Sequence, residues 1–107
     1  MDIENQYEIE FTDDCKKEIK KICSYIRDNL VEENAANRLL DKIEEYTSNL
    51  AFAPRMYAEI DKYKNTRKIY RRIVINNYVL LYTIDEEEKK VYISNMYYGG
   101  SDYINKI

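Results

Sequence analysis

The sequence predicts an α+β domain in the order β-α-α-β-β-β, an antiparallel sheet with an amphipathic helix hairpin packed on one face. Three observations predict it: one period-2 stretch near the start, two long period-3.6 stretches after it, and three β-rich runs joined by short turns. Tyr7, Ile9 and Phe11 alternate with Glu8, Glu10 and Thr12, as in a half-buried strand. Then the period changes. Cys15, Ile19, Ile22, Cys23, Ile26 and Leu30 recur at helical spacing, with Lys16, Lys17, Lys20, Lys21 and Arg27 opposite them. Thr12, Asp13 or Asp14 can cap this first helix, and their acids suit the positive end of its dipole.

Asn34 begins a second helix, with Ala36, Leu39, Leu40, Ile43, Tyr46, Thr47 and Leu50 as its apolar stripe and Pro54 as its stop. Few residues separate the two helices, so they are expected to pack as an antiparallel hairpin. Tyr7, Ile9, Phe11, Ile19, Ile22, Ile26, Leu39, Leu40, Ile43 and Leu50 are expected to share one core. Arg55 to Lys68 is the longest irregular stretch. The strands Ile69–Ile75, Tyr78–Asp85 and Val91–Tyr98 follow, rich in β-branched and aromatic residues. Asn76-Asn77 suits a tight turn because Asn tolerates positive φ, and Glu86–Lys90 makes a charged one. Simple alternation puts Tyr92 and Tyr98 on one strand face and Tyr97 on the other.

The chain has 107 residues, the range of a single domain spanning 1–107. It contains no histidine and two cysteines, which excludes Ser/His/Asp and Cys/His catalysis and a tetrahedral Cys/His zinc site. Its two glycines, Gly99 and Gly100, exclude a P-loop and a GxGxxG turn. No cofactor and no metal are expected; Glu59, Asp61 and the run Asp85 to Glu88 read as solvated surface. Cys15 and Cys23 lie eight residues apart in one helix, about 12 Å along its axis, too far for a disulfide. With no apolar run long enough to span a membrane and no apolar leader after Met1, the expected location is the cytoplasm.

Charge is unevenly placed. Met1 to Asp61 holds fifteen acids and eight bases, whereas Lys62 to Ile107 holds nine bases and five acids. Lys62, Lys64, Arg67, Lys68, Arg71 and Arg72 lie close together with no acid from Lys62 to Ile84. That is a solvated loop and polar strand face, or a surface for an anionic partner.

Three stretches carry a resemblance. "ENAANRLLDKIEEYTSNLAFAP" forms the second helix, "YRRIVINNYVLLYTID" the hairpin, and "YYGGSDYINKI" the end of the chain. In this order and length, from Tyr7 to Ile107, the chain resembles the RelE/ParE superfamily of bacterial type II toxins. The resemblance implies a cognate antitoxin as partner and either DNA gyrase or the ribosome with its messenger RNA as target; homodimerisation is compatible with it. In the RNA-cleaving branch the 2′-hydroxyl attacks the adjacent phosphate without a metal, basic side chains stabilise the charge, and a tyrosine, arginine or lysine moves protons.

Carried over to this sequence, the resemblance makes Arg71 and Tyr103 the catalytic positions only if the chain is RelE-like, with Lys62, Lys64, Arg67, Lys68, Arg72 and Tyr98 binding nucleic acid or target. Tyr103, Ile104 and Ile107 are the antitoxin-binding positions. Arg71 is expected to face the ligand and Arg72 the acids of the helical layer. Val79, Gly100 and Ser101 stand where arginines are common in the family. Those absences and an isoelectric point near 5.1 favour the ParE-like, gyrase-poisoning branch or a weakened toxin. The alternatives are a ribosome-dependent messenger RNA endonuclease and a non-toxic antitoxin-binding module.

Overall fold

Side-chain periodicity becomes architecture in the computed structural model, which describes residues 6–29, 34–60 and 68–106. Strand β1 (Glu8–Phe11) leads into helix α1 (Asp13–Asn29), followed by α2 (Ala35–Ser48) and a 3-10 turn (Asn49–Ala51). Strands β2 (Arg71–Ile75), β3 (Tyr78–Asp85) and β4 (Lys90–Tyr98) follow, with a last 3-10 turn at Tyr103–Lys106. Of the cap candidates, Thr12 does the capping. Its Oγ1 accepts a hydrogen bond from the Cys15 amide at 3.1 Å, with Asp13 and Asp14 in the first turn. Asn34 precedes α2 without a side-chain cap bond. The buried Thr47 hydroxyl donates back to the Ile43 carbonyl at 2.7 Å, so its burial leaves no donor unpaired.

The sheet runs β1-β4-β3-β2. The meander β2-β3-β4 is antiparallel as expected, and β1 joins its β4 edge in parallel register, Glu8 opposite Lys90 and Phe11 opposite Ile93. Parallel neighbours need a long crossover, and here the helical layer and the meander lie between them in sequence. Asn76 supplies the positive φ of the β2–β3 turn at 55°, and Lys89 that of the β3–β4 turn at 56°.

The two faces of the sheet differ. Helices α1 and α2 cover one, where Tyr7, Ile26, Leu39, Ile43 and Leu50 are buried and Ile9, Phe11, Ile19, Ile22 and Leu40 pack partly buried against them. All ten residues expected in one core are therefore in it. Ile73, Ile75, Leu80, Tyr82, Val91, Ile93 and Met96 are the sheet's contribution. Among the described residues no α-helix covers the opposite, open face, which carries a smaller cluster of Val79, Leu81 and, from the last 3-10 turn, Tyr103.

A bulge in β4 corrects one expectation. Leu81 pairs with Asn95 but Tyr82 pairs with Ile93, so Ser94 is an extra residue. Inward positions run Val91, Ile93, Met96, a step of two and then three. Tyr92 and Tyr97 consequently share the open face, and Tyr98 lies on the helical side with Tyr78. Ser94 is secured on both sides: its Oγ donates to the Leu81 carbonyl at 3.2 Å, and its own carbonyl accepts from Thr12 Oγ1 at 2.8 Å.

Burial raises two acidities. The free thiol of Cys15, fully enclosed, is pushed up to about 12, with Glu18 adding to the effect. The phenol of Tyr82, which donates to the Pro54 carbonyl at 2.8 Å, is also pushed up to about 12 by burial. The unfolded chain releases these protons nearer pH 9 and 10, so the folded state holds protons that the unfolded state gives up. Stability from these groups is thus intact below about pH 9 and falls as pH rises toward 12, by up to about 1.4 kcal/mol per pH unit for each. Urea midpoints measured across that window are expected to fall, with Cys15→Ala flattening the first part of the slope; a flat profile would contradict it. Among the described residues, α1 and α2 are also expected to shield Cys15 from iodoacetamide until the protein unfolds.

Candidate functional site

Residues Arg55 to Ile60 cross from the helical layer to the edge of β2, and the side chains around them set the site. The Ile60 amide donates to the Tyr70 carbonyl at 2.8 Å, and Glu59 bridges to Arg71 across the edge. Arg71 shares the inward parity of Ile73 and Ile75, so its guanidinium turns under this segment. Nη1 donates to the Tyr57 carbonyl at 2.6 Å and the Arg55 carbonyl at 3.3 Å, and Nη2 meets Glu59 Oε1 at 3.1 Å. Its side chain is only 13 % exposed. The expected ligand-facing arginine is thus held by internal partners.

Arg72 leaves the other face, and this differs from expectation. Its Nη1 donates to the Tyr103 hydroxyl at 2.8 Å on the open side of the sheet, away from the acids of the helical layer. Strand alternation is the cause, since Arg72 follows the inward Arg71. Tyr103 itself is buried, its ring stacked on Tyr97 at 6.2 Å between centroids and 16° between planes. Ile104 is partly buried against the same cluster. Lys68 is exposed, whereas Lys62, Lys64, Arg67 and Ile107 lie outside the described residues. Tyr98 is 58 % exposed and packs edge-on to Tyr78.

Two of the three family-arginine positions, 79 and 100, have a packing account. Val79 is buried in the open-face cluster with Tyr103, where a guanidinium would be trapped without solvent. A Cβ at Gly100 would lie 2.9 Å from Tyr98 Cε1, so any larger residue requires that ring to move.

A cleft of about 700 Å³ opens beside these groups. Hydroxyl side chains Thr12, Thr83, Tyr92 and Ser94 line it together with Glu59, Asp85, Glu86 and Glu87, against the cations Arg55, Lys68 and Arg71. Arg55 is ion-paired to Glu86, whose other oxygen accepts from the Tyr7 hydroxyl at 2.6 Å. Lys89 approaches the same hydroxyl at 3.4 Å and sits 5.0 Å from the ring centroid. Burial pushes the Tyr7 phenol up, but hydrogen bonding and charge from Lys89 and Arg55 outweigh it and hold the phenol below its ordinary value. Nothing in the sequence singled out this four-residue cluster, because its members come from three separated segments.

A second, apolar groove of about 470 Å³ runs between α1 and α2 over Ile19, Cys23, Leu40 and Ile43, rimmed by Lys16, Lys20 and Arg27. Among the described residues, no group of three or more Cys, Asp or Glu side chains is placed to hold a metal ion, and no helix is long and apolar enough to cross a membrane.

The family model for the ParE toxin of the type II toxin–antitoxin system parDE matches residues 9–103. Among solved structures, the chromosomal ParDE system of Pseudomonas aeruginosa matches at 11 % identity and a TM-score of 0.67, covering 88 % of this chain and 97 % of that one. The RelBE2 toxin–antitoxin complex of Mycobacterium tuberculosis matches at 21 % identity and 0.59, covering 87 % and 98 %. The archaeal RelE–RelB complex of Pyrococcus horikoshii matches at 14 % and 0.57, covering 89 % and 97 %. At these identities the likeness is one of fold. No curated protein sequence matches.

The partners of Arg71 and Tyr103 dictate how their variants behave. Arg71→Ala is expected to cost about 1–3 kcal/mol of stability by leaving Glu59 and two carbonyls without their donor. Tyr103→Ala is expected to cost about 3 kcal/mol or more through the lost ring, and Tyr103→Phe less than about 1. Urea unfolding of the three variants checks the order; equal losses for both Tyr103 variants would place the stabilisation in the hydroxyl instead.

Proposed function

The chain belongs to the ParE toxin family of type II toxin–antitoxin systems, and from that premise we propose a gyrase-directed toxin acting by protein contact. In this reading a cognate antitoxin neutralises it in the cytoplasm. The observation that carries the gyrase choice is the separation of Arg71 and Tyr103. They emerge on opposite faces of the sheet, with the guanidinium engaged by Glu59 and two carbonyls and the hydroxyl engaged by Arg72. RNA cleavage by 2′-hydroxyl attack needs a cation and a proton-transfer group converging on one phosphate. Val79 and Gly100 remove two further cations from the positions where RNA-cleaving relatives often hold them. A toxin that poisons through a protein surface needs none of these groups to converge.

Support for the antitoxin comes from the family and from the solved neighbours, which are toxin–antitoxin systems. The apolar α1–α2 groove offers such a partner a site for apolar anchors in the helix-in-groove manner.

Two assays on one preparation test the target. Gyrase supercoiling is expected to be inhibited, while messenger RNA on programmed ribosomes stays intact. Codon-dependent cleavage, lost in Arg71→Ala by one to three decades as expected for about 2–4 kcal/mol, would establish the endonuclease instead. Inhibition in neither assay would favour the non-toxic antitoxin-binding module.

A further inference from the structure

On the open face, acids of β1, β3 and the β3–β4 turn outnumber the one cation of β4 beside them, Lys90. The outward parity of β1 places Glu8 and Glu10 there, exposed, beside Lys90 and Tyr92 of β4. Across β4, Asp85 pairs in register with Lys90, and Glu87 and Glu88 continue the acidic edge through the turn. Lys90 is the cation at the centre, 3.9 Å from Glu88. The carboxylates of Glu8, Glu10 and Glu87 make no ion pair or hydrogen bond among the described residues. Two of the three cations lining the adjoining cleft, Arg55 and Arg71, are already paired with Glu86 and Glu59. Among the described residues no α-helix covers this half of the sheet.

We infer that this acidic half of the open face, with the cleft beside it, docks a basic segment of the antitoxin, rich in arginine or lysine. The inference rests on the antitoxin partnership proposed above and adds the chemistry of one contact.

Charge complementarity carries the choice of occupant. Carboxylates without an ion pair among the described residues, Glu8 and Glu10 on the sheet and Glu87 in the turn, accept charge-assisted hydrogen bonds from guanidinium or ammonium groups, and Tyr92 offers a ring face for a cation. The same field repels a phosphate backbone. Lys90 lies among these groups: Tyr92 first, then Glu10 and Glu8, raise its pKa above the ordinary value, and Glu88 adds to them. A positive side chain arriving beside it meets the same surroundings. Hydroxyls of Thr12, Thr83 and Ser94 line the cleft floor and supply neutral acceptors for the segment's backbone amides.

The full chain, labelled with nitrogen-15, is titrated with a blocked synthetic peptide of repeated Arg-Ala-Ser units, with its Glu-Ala-Ser counterpart, and with single-stranded oligouridylate. The arginine peptide is expected to shift the amides of Thr12, Thr83, Glu87, Tyr92 and Ser94, and to weaken with added salt. The double variant Glu10→Lys, Glu87→Lys is expected to lower that affinity about tenfold or more, and Glu10→Gln, Glu87→Gln by less. Retention of the native amide pattern in each variant separates lost binding from lost folding. Shifts confined to other faces, or equal shifts from the glutamate peptide or oligouridylate, would overturn the inference.

The antitoxin contact is then tested by coexpressing the chain with its antitoxin. The lysine double variant is expected to reduce copurification, and unchanged copurification would overturn the proposed contact. Failure of the unmodified chain to copurify would instead overturn the antitoxin reading, whatever the peptide does.

Discussion

One extra residue in β4 decides which groups meet on either face. Ser94 is accommodated because its hydroxyl reaches the Leu81 carbonyl and its own carbonyl takes the Thr12 hydroxyl. Thr12 also caps α1, so the start of the first helix and the bulge share one side chain. Below the bulge Val91 and Ile93 point inward; above it Met96 does. Were Ser94 paired in regular alternation instead of bulged, Asn95 would enter the apolar core and Met96 would turn outward, at a cost of a few kcal/mol for an unpartnered amide. The bulge also puts Tyr97 over Tyr103 on the open face, where Arg72 holds the Tyr103 hydroxyl.

The substitutions at family-arginine positions follow from that arrangement. With Tyr103 lying on the sheet, position 79 becomes part of a buried apolar patch, and valine fills it at no desolvation cost. At the end of β4 the Tyr98 ring occupies the space that a side chain at residue 100 would need. At positions 79 and 100 the absent cation is therefore matched by a packing contact. Among the described residues, the open face carries Arg72 and Lys90, and beside them the acids Glu8, Glu10, Asp85 and Glu87 of β1, β3 and the β3–β4 turn.

Much of the fold was legible in the sequence because it depends on local periodicity. Both helices, the Asn76 turn and strand β3 lie where the patterns of two and 3.6 residues put them. The parallel seat of β1 beside β4 was not legible, since strand order depends on how the whole chain packs rather than on any local pattern. The bulge left a faint trace: adjacent polar Ser94 and Asn95 interrupt the alternation, and Met96 resumes it one residue late. The site was less legible still. Adjacent arginines declare that they leave opposite faces, but which face each takes depends on the inward register of Ile73 and Ile75. Partners such as Tyr57 and Tyr103 lie fourteen and thirty-one residues away in sequence, beyond any local signal.

Arg71 then has a different role from the one its sequence position suggested. The Arg55–Ile60 segment has little regular structure of its own, yet it is fixed at several points. Tyr82 holds the Pro54 carbonyl from within the core, Arg71 holds the carbonyls of Arg55 and Tyr57, and the Arg55 side chain reaches Glu86 in the β3–β4 turn. Each bond to a charged group is worth roughly 1.5–3 kcal/mol when shielded and much less where water reaches it, so the nearly buried Arg71 counts for more than the exposed Arg55 pair. Arg71 is thus a positioning residue for the wall of the cleft. With both arginines engaged on that wall, the fold neutralises Glu59 and Glu86, while Glu8 and Glu10 of β1 and Glu87 of the β3–β4 turn make no ion pair among the described residues.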